Sequence, residues 1–243
     1  APRAWRNDWR RILSVYVFDP PAQPAVVVQG GGRFPVRRIF CIGRNYAEHV
    51  KEMGSDPKSS PPVFFTKPAD AVMASGAVIP YPQGTEDFHF EGELVVALKA
   101  GGRDIASPDE ALALIFGFAA GCDLTRRDLQ AAAKKAGAPW DAAKGFDHSA
   151  PVGPVARVAD APADFLETAR LRLSVNGAER QNAPLSAMIW SVPHMLLGLS
   201  RLFELKAGDL VFTGTPPGVG PLGSGDQVRV EIGPLPALEF SIK

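Results

Sequence analysis

The sequence predicts a β-rich α+β fold, and two observations carry that expectation. The 243 residues include 24 Gly and 23 Pro, which punctuate a chain into turns and short strands more readily than they permit long helices. Short apolar runs rich in β-formers recur between those punctuation points, at 39–42, 62–66, 94–98 and 210–213, whereas helix signals are few and brief.

Bulk properties narrow the function. With 26 basic and 26 acidic residues the formal net charge is zero, so the electrostatic footprint of a nucleic-acid binder is missing. A hydrophobic fraction of 46% supports a sizeable core, yet no run approaches the ~18 apolar residues that a membrane span needs. No signal peptide is read in the basic N-terminus, whose apolar part is short and interrupted by Asp19, Pro20 and Pro21. Cys41 and Cys122 lack CxxC spacing, against a disulfide scaffold or a structural zinc site and in keeping with a reducing cytoplasm. Residues 1–38 read as an entry segment and 39–243 as a single domain.

In chain order, 15–18 and 25–28 are strand candidates around the PPAQP turn, and Gly30–Gly32 is a break. Ile39–Ile42 is a short buried strand stopping at Gly43. Residues 47–53 are helix-compatible with Gly54 as a stop, and the polar, Pro-rich 55–62 stretch would let that helix move as a lid. Residues 62–66 and 77–81 are strands, and 88–98 reads as one longer strand. Ser107 caps a helix with Pro108 in its first turn and an apolar body at 111–115. A small-residue strand at 116–122 precedes a helix at 125–135, and 137–154 is irregular loop. Leu171–Val175, an Asn-Gly turn and 177–180 form a hairpin. Ser191–Phe203 is a helix with Leu196, Leu197, Leu199 and Leu202 on its core side. Strands at 210–213, 225–232 and 237–242 finish the chain.

The chemistry centres on Glu91 and Glu93. On a strand residues i and i+2 share a face, and two like charges that close call for a cation between them. Hard divalent ions take oxygen ligands, although without a third ligand the pair reads as an exposed acidic strand end. Asp123, after an apolar strand, is a candidate third ligand or a helix N-cap. His49 and Glu52 share a helix face at i,i+3, as a general base and its orienting carboxylate would, or as a chance surface pair. Arg127 and Gln130 share another face, suited to an oxyanion. Lys67 ends a strand and Lys144 stands before a glycine. The Gly/Pro loop after 213 exposes N–H groups and the hydroxyls of Thr213 and Thr215, but lacks the P-loop ending and the Rossmann spacing.

The order of the segments IGRNYAEH, FFTKP, FEGEL, GCDLTRRDLQ, KGFD and FTGTPPGVGPL resembles the fumarylacetoacetate hydrolase family, from about Arg38 to Lys243. Within it the chain is similar to the short acylpyruvate hydrolases, those acting on fumarylpyruvate in gentisate degradation above all. The resemblance implies a distorted β-sandwich or β-roll with short flanking helices, usually dimeric. It implies Glu91, Glu93 and Asp123 as ligands of Mg²⁺, with Mn²⁺ or Ca²⁺ as substitutes, and His49 and Glu52 as a water-activating pair on a lid helix. It implies Arg127, Gln130, Lys144 and Thr215 around the substrate, a small-molecule dioxo acid. Arg44, Lys67 and Arg126 are candidate partners for that acid's far carboxylate. Cys122 stands where the family often has Asn, and Arg126 where it often has a small residue. The expected reaction is hydrolysis of a C3–C4 bond. Decarboxylation of oxaloacetate, or isomerisation or hydration of a related dioxo acid, would use the same site, and a non-catalytic β-rich binding module is the distant alternative.

Overall fold

The computed structural model describes residues 16–52 and 62–243, with the backbone alone for 50–52. The elements run β1 (Ala25–Val27), β2 (Arg33–Pro35), β3 (Arg38–Gly43), α1 (Ala47–Glu52), β4 (Val63–Lys67), β5 (Val72–Ala74) and β6 (Ala77–Ile79). They continue with β7 (Phe88–Phe90), β8 (Gly92–Leu98), α2 (Pro108–Ala113), β9 (Ile115–Cys122), β10 (Thr125–Arg126), α3 (Arg127–Ala136) and α4 (Asp141–Lys144). Next are β11 (Ala150–Val152), β12 (Ala156–Arg157), α5 (Phe165–Thr168), β13 (Arg170–Val175), β14 (Ala178–Pro184) and α6 (Val192–Leu202). The last are β15 (Asp209–Phe212), β16 (Gly220–Pro221), β17 (Gln227–Ile232) and β18 (Leu238–Ile242).

The central sheet has the order β4-β3-β15-β8-β9-β11-β5. Its two edges, β4 and β5, are consecutive in sequence. Seven flat strands would hold the edges about 29 Å apart, at ~4.8 Å per neighbour. The short connection from Lys67 to Val72 reaches at most about 18 Å. The sheet therefore curls into a roll. Alternation along β8 then divides its apolar run between two cores: Val95 and Ala97 face the inside of the roll with Ile39, Cys41, Leu210 and Phe212, and Leu94, Val96 and Leu98 face outward. Val26, Val28 and Phe34, from the entry segment, pack against the inner core.

A second sheet, β14-β13-β17-β18-β6, covers the outer face. Alternation is cleanest in β17. Val228, Val230 and Ile232 are buried between exposed Arg229 and Glu231, as expected of a sheet with one wet face. The Asn176-Gly177 turn has φ of 52° and 78°, the left-handed pair that a tight hairpin requires. Helices α2 and α6 flank this core; Ser107 caps α2 by accepting a bond from the Glu110 N–H.

Several expectations change. The 88–98 stretch is broken at Glu91: β7 joins a separate small sheet with β10 and β16, and only β8 enters the roll. Tyr16–Phe18 are exposed and outside any strand, while Val15, Met53, Gly54 and the 55–61 loop lie outside the described residues. Residues 125–126 form a strand before α3 begins, because Thr125 and Arg126 pair with His89 and Phe88. Lys144 ends the short helix α4 and not a loop. Leu202 is 62% exposed, on the side of α6 turned from the core. Among the described residues no helix is long and apolar enough to cross a membrane.

Candidate metal centre and cleft

Three strand ends build the site. The antiparallel register of β8 on β9 sets Gly92 opposite Cys122, and the ladder continues for one more bond, from the Asp123 N–H to the Glu91 carbonyl at 2.8 Å. Glu91 and Asp123 are thereby held side by side. Glu93 points, like Val95 and Ala97, toward the inside of the roll. Strand β15 ends beside it, and the Gly214 N–H donates to Glu93 Oε2 at 2.7 Å. Gly214 has φ 95°, and a Cβ there would stand 2.7 Å from the Asn45 Cβ. Glycine alone fits both the dihedral and the space.

One carboxylate oxygen from each of Glu91, Glu93 and Asp123 can be chosen so that all lie within 4.8 Å of one another. All three residues are buried. Cations surround them. Lys144 Nζ donates to Glu91 Oε2 at 2.8 Å, Asp123 Oδ2 at 2.7 Å and Thr125 Oγ1 at 2.6 Å. Arg127 Nη2 donates to Glu91 Oε1 at 2.5 Å. Lys67 Nζ lies 2.8 Å from Asp123 Oδ1.

The compensation is uneven. Burial alone would raise the Glu91 carboxyl, but Lys144, Arg127 and His49 outweigh it and hold that group well below the usual carboxylate range. Glu93 is pushed well above that range, by burial first and then by Asp123 and Glu91 beside it. Lys144, despite burial, is raised by Asp123 and Glu91. Asp123 Oδ1, although close to Lys67, accepts no hydrogen bond. An all-oxygen, buried donor set with one uncompensated carboxylate and one orphaned oxygen fits a hard divalent cation.

Above the carboxylates opens a cleft of about 510 Å³, its mouth included. Its lining contains Arg44, His49, Glu91, Glu93, Asp123, Arg127, Gln130, Lys144 and Thr215. Gln130 Oε1 accepts from Arg127 Nη1 at 2.6 Å, which leaves the amide NH₂ for another oxygen. Arg44 has φ 65°, turning the chain away from β3 at the cleft wall. The helix α1 brings buried His49 to the cleft, while the Glu52 side chain lies outside the described residues.

Two expected positions differ. Lys67 is 2% exposed and lies beneath the floor, its Nζ bonded to the Leu124 and Lys144 carbonyls as well as paired with Asp123. It holds the architecture of the acid cluster and is not placed on the cleft surface. Arg126 donates to the Ala142 carbonyl and stacks 4.4 Å from the Phe146 ring centre, also away from the cleft. The sequence reading missed Gln181, whose Nε2 donates to Thr215 Oγ1 and the Pro216 carbonyl, both at 2.8 Å, while its Oε1 accepts from the Gly92 N–H. It also missed Phe65, Lys134 and Trp140, which line the cleft.

The family model described as fumarylacetoacetate (FAA) hydrolase C-terminal matches residues 38–243. A fumarylpyruvate hydrolase from Pseudomonas aeruginosa, solved with Mn²⁺ and pyruvate, superposes with a TM-score of 0.90 at 42% identity, covering 94% of this chain and 99% of that one. A putative fumarylpyruvate hydrolase from Burkholderia cenocepacia gives a TM-score of 0.85 at 48% identity, over 94% and 98% of the two chains. An oxaloacetate tautomerase of Escherichia coli (strain K12) is 42% identical over 197 residues, 81% of this chain and 89% of that protein.

Proposed function

The chain belongs to the fumarylacetoacetate hydrolase family, and we propose that within it this protein hydrolyses the C3–C4 bond of a 2,4-dioxo acid, fumarylpyruvate in gentisate degradation above others. The observation that carries the reading is the buried Glu91, Glu93 and Asp123 cluster at the floor of a cleft that also holds His49 and Gln130. The likeness to a fumarylpyruvate hydrolase solved with Mn²⁺ and pyruvate supports it.

Glu91, Glu93 and Asp123 would hold the divalent ion, Mg²⁺ or Mn²⁺. When bound, that ion supplies Lewis-acid polarisation of the 2-oxo acid end. The charge count suits the assignment. The three buried cations Lys67, Arg127 and Lys144 pair with Glu91 and Asp123 and equal the three carboxylates in number, so a divalent ion beside Glu93 leaves an excess of positive charge for an anionic substrate.

His49 takes a proton from water, and Glu52 is assigned from the family resemblance as the group that orients it. The hydroxide adds to C4. Gln130 offers its amide NH₂ to the oxygen on which negative charge develops, and Lys144, whose three N–H groups go to Glu91, Asp123 and Thr125, adds its positive charge nearby. The C4 oxyanion then collapses, and the electron pair of the C3–C4 bond goes to C3, which takes up a proton. The acyl half leaves as the carboxylate (fumarate) and the other half as pyruvate. Thr215, fixed by Gln181, lines the cleft and is assigned to the substrate from the family resemblance.

A second reading, keto–enol tautomerisation of oxaloacetate, is favoured by the Escherichia coli relative and by a mouse oxaloacetate tautomerase 40% identical over 211 residues. It would use the same carboxylates with no water attack. Initial rates on fumarylpyruvate, acetylpyruvate and enol-oxaloacetate, each with Mg²⁺ and with excess chelator, decide between them. Metal-dependent loss of fumarylpyruvate as the fastest reaction is expected; fast oxaloacetate tautomerisation with fumarylpyruvate inert would overturn the hydrolase reading.

A further inference from the structure

We propose that Lys134, at the mouth of the cleft, binds the carboxylate at the far end of the substrate and so makes the enzyme selective for dicarboxylic over monocarboxylic dioxo acids. The proposal rests on the reading that the substrate is a 2,4-dioxo acid whose oxo-acid end lies at the Glu91, Glu93 and Asp123 cluster.

The cations of the cleft divide into two kinds. Arg127 and Lys144 are held against Glu91 and Asp123, and Lys67 lies beneath the floor. Lys134 and Arg44 line the cleft and make no ion pair among the described residues. A cleft wall that keeps cations without carboxylate partners is the complement of an anionic ligand.

Helix α3 sets the distance. Arg127, Gln130 and Lys134 follow one another at i, i+3 and i+7, the spacing of one helix face. Arg127 meets Glu91 at the floor, and Lys134 lies about 10 Å further along the axis, at ~1.5 Å per residue. A seven-carbon acid such as fumarylpyruvate has six C–C bonds from C1 to C7, about 7 Å when extended, by the reach per bond of an extended backbone. Its far carboxylate therefore arrives within reach of a lysine at that turn and beyond one at Gln130.

The wall beside Lys134 is suited to the chain between the two ends. Lys134 Nζ stands 5.3 Å from the centre of the Trp140 ring, and Trp140 packs on Phe65 with centroids 5.7 Å apart. Aromatic faces accept a flat conjugated enoyl arm, and the Trp140 ring restrains the lysine. Partial burial and the nearby positive charges of Arg127, Lys144 and Arg44, against which Glu91 acts alone, lower the Lys134 ammonium to about 8. A carboxylate placed there relieves that repulsion.

The test uses Lys134→Met, Lys134→Arg and, as a control on the same helix, Lys135→Met, all loaded with Mg²⁺. Turnover gives the ratio of kcat/KM for fumarylpyruvate to that for acetylpyruvate. Calorimetry gives the affinities of 2-oxoheptanedioate and 2-oxoheptanoate, which differ only in the far carboxylate and carry no 4-carbonyl to cleave. Lys134→Met is expected to lower both preferences at least ~10-fold, the usual value of a hydrogen bond to a charged group, with recovery in Lys134→Arg and no change in Lys135→Met. Equal effects of Lys134→Met on the two ligands of a pair, or an unchanged preference, would overturn the assignment. If the wild type cleaves neither substrate, the reaction reading fails, and the calorimetric preference still decides the role of Lys134.

Discussion

Replacing Lys144 by Met removes one ammonium that donates to Glu91, Asp123 and Thr125 at 2.6–2.8 Å from a site where the lysine is 2% exposed. The two carboxylates then remain buried with less opposing charge. Breaking a buried ion pair by removing one partner costs about 3–5 kcal/mol. The methionine side chain keeps most of the apolar stem, so packing loss adds little. For a domain of this size each kcal/mol moves Tm by roughly 2–4 °C, which gives a fall of about 6–20 °C in excess chelator. A divalent ion supplies part of the missing charge and binds the folded state alone. Mg²⁺ or Mn²⁺ at ~100 times Kd adds about 2.7 kcal/mol, and the shift on adding metal should be at least as large in the variant as in the wild type. Thermal and urea unfolding in chelator and in metal measure both quantities. A variant within about 1 kcal/mol of wild type in chelator, or one that metal fails to stabilise, would refute the view that Lys144 balances a buried cation site.

Glu93→Gln should act in the opposite direction. Its folded carboxyl lies well above 4.5, so the folded state binds more protons than the unfolded one between those values, and metal-free stability falls as pH rises through that window. The variant should be more stable than wild type in chelator at neutral pH, show a flatter pH profile, and lose its stabilisation by metal; lower stability in chelator would contradict the assignment. Gly214→Ala places a Cβ 2.7 Å from Asn45 Cβ and 3.0 Å from the Ile42 carbonyl, at φ 95°. A loss of about 1–3 kcal/mol with weaker metal binding is expected in unfolding and calorimetry, and unchanged metal affinity would show that the Gly214–Glu93 bond is dispensable. His49→Ala should lower turnover by roughly 10²–10⁴ with metal affinity preserved by calorimetry; parallel loss of both would remove His49 as the base.

The parts of the site that were legible in the sequence are those fixed by local chain geometry. Glu91 and Glu93, two apart before an apolar run, and Asp123, just after the strand that pairs with it, come together because a register, once set, propagates along the ladder. The motif order added Lys144 and Thr215, which spacing alone left ambiguous. The break at Glu91 was illegible because the period-2 pattern of Phe88, Phe90 and Gly92 runs straight across the junction of two sheets. The four-residue helix ending at Lys144 is too short for any period to register. Lys67 read correctly as a strand-end lysine, but only the curl of the sheet turns it under the floor, where the Leu124 and Lys144 carbonyls occupy it. Gln181, one residue past the expected hairpin, carries no local signal in the sequence. Its importance comes from contacts with Gly92 and Thr215, far away in sequence. Lys134 carried a signal that went unread, its i, i+7 relation to Arg127.

The most direct test of the proposed reaction is proton NMR of fumarylpyruvate incubated with the enzyme and Mg²⁺, followed by the same experiment in excess chelator. C3–C4 hydrolysis predicts that fumarate and pyruvate appear in equal amounts as the substrate disappears, and that neither forms when the metal is removed. Interconversion of keto and enol forms with the carbon skeleton intact would contradict it and assign the buried acid cluster to tautomerisation.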